Sequence, residues 1–183
     1  TLIQKLDEAG KLDKTLIVAA PDHVPYFDID TLEELSGQTF GKSEDMEALK
    51  ESAINFDVYK SSLIIWSASM TGPVNVDKVT CQVDILPTVS NLFGLEYDSR
   101  LLAGRDVFSD AAPLVLFRNY SWITDRGYYN ASSKTFTPTD GAGFTGEEDQ
   151  NAYIKSISSI VKNKVTYSKY ILEKNYYNIL FKK

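Results

Sequence analysis

Leu2, Ile3, Leu6 and Ala9 recur at the spacing of one helical face, and Gly10 follows where a left-handed residue closes a helix. After a short polar break the pattern changes. Thr15-Leu-Ile-Val-Ala-Ala20 is apolar and largely β-branched, and Pro21 ends it. A run without polar alternation predicts a strand covered on both faces, the usual state of a strand in a parallel sheet. Asp30 with Glu33 predicts a capping box for a short helix that Gly37 ends, and Ser43 followed by Glu44 and Asp45 predicts a second helix start. Ser62-Leu-Ile-Ile-Trp66 reads as another buried strand. Asp84 then precedes Ile85 to Phe93 as a helix cap, Pro87 is tolerated in the first turn, and Gly94 stops the helix. This alternation is that of an α/β fold. Helices lie between the two apolar strands, so the strands are expected to run parallel in one sheet.

Beyond about Asp110 the segments shorten. Pro113-Leu-Val-Leu-Phe-Arg118, Ser121-Trp-Ile-Thr124 and Tyr128-Tyr-Asn130 are separated by turn residues and predict an antiparallel meander. A Gly/Thr/Pro-rich loop over 137–146 leads into a long amphipathic helix. Its apolar stripe is Ile154, Ile157, Val161, Val165 and Leu172, with Lys155, Lys162 and Lys169 elsewhere on its surface. The expected domains are therefore an α/β part over 1–110 and a small α+β part over 111–183, an antiparallel sheet with a long helix.

Composition narrows the classes. The 183 residues are 43% hydrophobic and 24% charged, ordinary for a globular protein. The formal charge of −6 excludes the broadly basic face of a nucleic-acid scaffold and gives the chain as a whole no attraction to anionic membranes. A lone cysteine, Cys81, excludes an internal disulfide and a cysteine-cluster metal site. No apolar run reaches the roughly 18 residues of a membrane span. The chain opens on Thr1 with a helical pattern already under way, and it is expected to be a soluble piece of a longer protein.

The sharpest chemical signal is Asp22-His23, directly after the first apolar strand. In open α/β sheets ligands collect beyond the carboxyl ends of strands, and a carboxylate beside an imidazole offers oxygen and nitrogen to a divalent ion. The plain alternative is that Asp22 caps the following turn and His23 is an ordinary loop histidine. Arg118 and Asn119 stand where they could approach a phosphate, with a solvated strand end as the alternative. Lys42 is read as a solvated lysine before Ser43. The aromatic C-terminus, with Tyr167, Tyr170, Tyr176, Tyr177 and Phe181, looks like a peripheral-membrane stripe, but packing of a terminal helix explains it more simply.

The ordered set resembles a known family. Thr15-Leu-Ile-Val, Asp22-His23, a strand, Gln82-Val-Asp-Ile-Leu-Pro-Thr88, Leu92-Phe-Gly94 and Gly104-Arg-Asp-Val-Phe-Ser109 follow one another as in the C-terminal half of the sulfatase and alkaline phosphatase superfamily. Phe117-Arg-Asn-Tyr-Ser-Trp-Ile-Thr124 with Tyr129-Asn130 resembles the small C-terminal subdomain of lipoteichoic acid synthases and related phosphoglycerol transferases.

The resemblance implies an alkaline-phosphatase-like, mostly parallel sheet flanked by helices. It also implies an enzyme acting on a phosphate or sulfate ester, with lipid-linked glycerol phosphate as the synthase substrate. In the parent protein a metal-activated hydroxyl would attack in line and give a covalent intermediate. Asp22 and His23 inherit two ligands to the catalytic divalent metal (Mn, Zn, Mg or Ca). The nucleophile and a further acidic ligand lie upstream of Asp-His in the family and correspond to no residue here, so the chain alone is expected to be inactive. Cys81 lies downstream and lacks the Cys-x-Pro-x-Arg setting of a sulfatase nucleophile. Asp84 is a helix cap and Gly104-Arg105-Asp106 a salt-bridged turn. After His23 the run is Val24-Pro-Tyr-Phe-Asp28, where synthases carry Tyr-Gly and a substrate-contacting Ser, so no substrate contact carries over. The implied location is the outer face of a bacterial cell membrane. A sulfatase and a non-catalytic binding module on the same scaffold are the competing readings.

Overall fold

A computed structural model describes residues 1–23, 28–36 and 59–182. The chain divides into two compact units, Thr1–Asn75 and Val76–Lys183.

In the first unit, α1 spans Leu2–Glu8. The Thr1 hydroxyl accepts from the Gln4 amide at 3.3 Å, satisfying one of the donors left over at the helix start. At the other end Gly10 takes φ of 62°, so that its amide reaches Asp7 and the Lys11 amide reaches Leu6. Strands β1 (Leu16–Ala19) and β2 (Ile64–Ser67) form a two-stranded sheet. The pairing corrects the expectation: β1 and β2 are antiparallel, with Leu16 opposite Ser67 and Ala19 opposite Ile64. An unbroken apolar run reports which faces are covered and carries no information about direction. A connection as long as that between the strands can deliver the second in either sense. The structure is mixed helix and sheet, and its sheets among the described residues are antiparallel.

A second correction concerns α2 (Ile29–Ser36). Its cap is Asp28, whose Oδ1 accepts from the Thr31 amide at 2.8 Å, while Asp30 lies in the first turn. The Asp30/Glu33 spacing matched a capping box, but Asp28 stands one residue before the helix, where a side chain can reach the third amide. Gly37, Gly41, Lys42 and the helix start at Ser43 lie outside the described residues.

In the second unit, α3 (Ile85–Leu92) ends as expected at Gly94, with φ of 61° and the Leu95 amide donating to Ser90. Asp84 stands at the N-cap of this helix as expected, but its side chain makes no capping hydrogen bond there. Its buried carboxylate accepts from the Cys81 amide at 2.9 Å and, across the chain, from the Arg105 amide at 2.7 Å. Thr88 repeats the tie one turn on, its hydroxyl donating to the Asp84 carbonyl and accepting from the Val107 amide. The turn at Gly104-Arg105-Asp106 is thus fastened by hydrogen bonds. Among the described residues no ion pair involves Arg105 or Asp106, and the Asp106 carboxylate accepts from Asn91 and Phe108.

Strands β3 (Val115–Leu116), β4 (Trp122–Thr124), β5 (Gly127–Asn130) and β6 (Thr135–Pro138) form the expected antiparallel meander. The long helix α4 (Glu147–Glu173) covers it, with Glu147, Glu148 and Asp149 in the first turn where the helix dipole favours anions. Trp122, Leu114 and Val161 are the buried centre. Tyr129, Phe136, Tyr153, Ile154 and Ile157 pack around them. A short helix α5 (Tyr176–Leu180) follows, entered through Asn175 in the left-handed conformation.

Two outcomes follow. A Cβ added at Gly104 would lie 1.9 Å from the Val83 carbonyl oxygen, a backbone atom that cannot swing aside. Gly104→Ala should therefore cost about 3 kcal/mol or more and lower Tm by roughly 6–12 °C. Differential scanning calorimetry checks this, and an unchanged Tm would contradict the close approach. The thiol of Cys81 is half-buried, and its Sγ–H donates to the Leu114 carbonyl at 3.8 Å. Burial and then the nearby Asp84 charge push its pKa up to about 11. Alkylation by iodoacetamide at pH 8 should run about a hundredfold slower than in the urea-unfolded chain, and accelerate as pH rises toward 11. Equal rates in the two states would show the thiol to be open.

Candidate functional site

Backbone geometry alone would separate Asp22 from His23. Neighbouring residues in a continuing strand point to opposite faces. Pro21 lacks an N–H and fixes φ, so the chain leaves the strand conformation just past β1, and Asp22 and His23 both lie in a bend. There the two side chains meet, with His23 Nε2 3.5 Å from Asp22 Oδ1. Both face solvent, the Asp22 side chain at 91% exposure and the His23 side chain at 51%. The pair stands at the carboxyl end of β1, beside the start of β2 because the strands are antiparallel.

Can this pair take a divalent ion? Two ligands of one ion at about 2.1 Å in tetrahedral geometry lie about 3.4 Å apart, close to the separation here. One carboxylate oxygen and one imidazole nitrogen suit Zn²⁺ and Mn²⁺. The donor set therefore fits, as two ligands of a fuller shell. Among the described residues no three of His, Cys, Asp and Glu gather into a metal-holding group.

Downstream of His23, residues 24–27 lie outside the described residues. At Asp28 the Thr31 backbone and then side-chain hydrogen bonds hold the carboxyl below the usual range. Asp28 was not singled out from the sequence. Its position three residues before Thr31 was the available signal, and it was masked by the better-matching Asp30/Glu33 pair.

The other candidates belong to the second unit. Arg118 is exposed near the β3–β4 turn, where the Asn119 carboxamide oxygen accepts from the Ser121 amide at 3.0 Å, the arrangement of a local turn. Asp84 and Cys81 belong to the fastening of the second unit, and the raised pKa of Cys81 suits a structural thiol. Lys164 donates to the Ala103 carbonyl at 2.6 Å. Burial, then Arg105, lowers its pKa.

No family model matches the chain. A comparison with curated proteins finds lipoteichoic acid synthase 2 of Bacillus subtilis (strain 168), 27% identical over 168 residues, a match that takes in 91% of this chain and 24% of that protein. The chain thus spans about a quarter of the length of that relative, and across nearly all of its own length it is similar to a lipoteichoic acid synthase.

Proposed function

We propose that residues 1–110 are part of the catalytic domain of a metal-dependent phosphoglycerol transferase, and that 111–183 are its small C-terminal subdomain. The observation that carries this reading is the convergence of Asp22 and His23 to 3.5 Å just past β1, within a stretch similar to lipoteichoic acid synthase 2. Asp22 and His23 would hold one divalent ion, and other residues of the whole protein would complete its shell. When bound, such an ion polarises an ester oxygen and offsets charge that develops on it.

This chain's own residues act by placement. The β1–β2 pairing fixes where the chain emerges, Pro21 turns it, and the Asp28 cap holds the start of α2. The Asp22 carboxylate supplies negative charge to the ion, and the His23 ring presents Nε2 to the same space. No nucleophile is assigned within residues 1–183. The substrate class is a phosphate ester, with lipid-linked glycerol phosphate as the donor and an alcohol as the acceptor, at the outer face of a bacterial membrane.

The test uses the full-length protein. Asp22→Ala and His23→Ala should each weaken Mn²⁺ binding, read by isothermal titration, and lower turnover of a glycerol-phosphate lipid by roughly 100-fold or more, with Tm unchanged. Full turnover in either variant would overturn the assignment of the pair. Turnover of an aryl sulfate in place of the phosphate ester, with the same dependence on Asp22 and His23, would move the protein to the sulfatases.

A further inference from the structure

Charge is unevenly divided along this acidic chain. Residues 155–183 carry seven lysines against one acid, Glu173, whereas residues 1–154 carry twelve Lys and Arg against twenty-four Asp and Glu. The last segment therefore has a net charge near +6 on a protein whose remainder is near −12. Its last part, residues 167–183, holds four of those lysines against Glu173, a net charge near +3, and exposes its apolar side chains. The stripe of α4 packs against the sheet through Ile154, Ile157 and Val161, then runs on past it. From Tyr167 to Lys182 every residue except Ile171 is exposed. Tyr167 is 62% exposed, Leu172 75%, Ile179 62% and Phe181 74%. Packing of a terminal helix, the simpler explanation available from the sequence, does not cover them among the described residues.

Of the lysines, Lys164 is tied to the preceding part of the unit through the Ala103 carbonyl. Among the described residues Lys169 pairs only within its own helix, with Glu173 at 3.5 Å, and no carboxylate pairs with Lys162, Lys174 or Lys182. The left-handed residue Asn175 breaks the helix between Tyr170 and Tyr176, so the apolar groups are carried on two short helical arms. Tyr177 and Phe181 stack with parallel rings 6.3 Å apart on the second arm.

We propose that this C-terminal segment, the last two turns of α4 with α5, docks on an anionic lipid surface. Tyrosine rings suit the boundary between headgroups and acyl chains, being apolar in body and polar at the tip. Leu172, Ile179 and Phe181 supply apolar area to bury, and flexible lysine stems let ammonium groups reach lipid phosphates while their methylenes stay in the apolar layer. The rest of the chain is net negative and has no such attraction to an anionic surface, so the attraction belongs to this segment. No helix among the described residues is long and apolar enough to cross a membrane, so docking would be interfacial. The proposal does not depend on the metal site.

Co-sedimentation of the 183-residue protein with vesicles tests it. Vesicles of phosphatidylglycerol and phosphatidylcholine (1:1) should bind at least tenfold more protein than pure phosphatidylcholine, and 0.5 M NaCl should remove most of that difference. Lys169→Glu with Lys174→Glu should abolish binding, as should Tyr167→Ser with Phe181→Ser. The reversal Lys134→Glu, on the β5–β6 turn, should not. Circular dichroism should be unchanged in all of them, as expected for exposed positions. Absence of binding to the mixed vesicles, or equal binding to both compositions, overturns the proposal. So does self-association, by sedimentation velocity, that the same double substitutions abolish while vesicle binding is absent, which would assign the face to a second copy of the chain.

Discussion

The indole of Trp122 sets the constraint under which the second unit is built. It is fully buried, and a group of that size needs walls on every side. The sheet supplies Tyr129, stacked at 5.5 Å, and Phe136 at 5.6 Å, while the helix supplies Tyr153 edge-on at 6.0 Å. The indole N–H cannot be left unpaired in such a place, and it donates to the Ser158 hydroxyl at 3.0 Å. That bond also fixes helix register, since Ser158 lies one residue past Ile157 and three before Val161 on the packing side. Tyr153 is tied again through its hydroxyl to Thr124, and Arg126 lies over the rings of Phe144 and Tyr153. Four short strands of two to four residues would not hold by themselves. The helix gives them the apolar cover they lack.

A second knot lies at Asp84. A buried carboxylate is costly unless its oxygens are satisfied, and here each oxygen receives a backbone amide, from Cys81 and from Arg105. The consequence is geometric: two segments 21 residues apart are drawn so close that Gly104 touches the Val83 carbonyl, leaving no room for a Cβ. The resemblance picked out both segments as landmarks without assigning them chemistry. Their role in this structure is to hold α3 and the turn after it in one piece.

What the sequence made legible followed from local rules. Gly10 and Gly94 closed their helices because only a residue free to adopt positive φ lets the following amides turn back. The meander and the stripe Ile154, Ile157, Val161 were visible because alternation and helical spacing report a single buried face. The direction of β2 relative to β1 was not legible, since an apolar run is the same read either way. The side-chain partners of Asp84 were equally hidden: a carboxylate before a helix looks like a cap until a distant amide such as that of Arg105 is brought against it. At the site the sequence showed an adjacent carboxylate and imidazole, Asp22 and His23, but not that they would converge, which depends on the bend after Pro21.

The exposed end of α4 and the acidic body pose one problem from two sides. Helices shed apolar stripes quickly once they leave the surface they cover, because each uncovered side chain is a liability in water. Here Leu172, Ile179 and Phe181 continue the apolar pattern past the sheet, and lysines accompany them with Glu173 as the one acid. If the apolar groups awaited only another protein surface, nothing would require the charge beside them to be so one-sided. Anionic lipid accounts for both at once: the apolar groups need a boundary to enter, and the lysines need phosphates at that same boundary. Attraction of this kind acts before contact, since the field of an anionic surface reaches the lysines ahead of any apolar insertion.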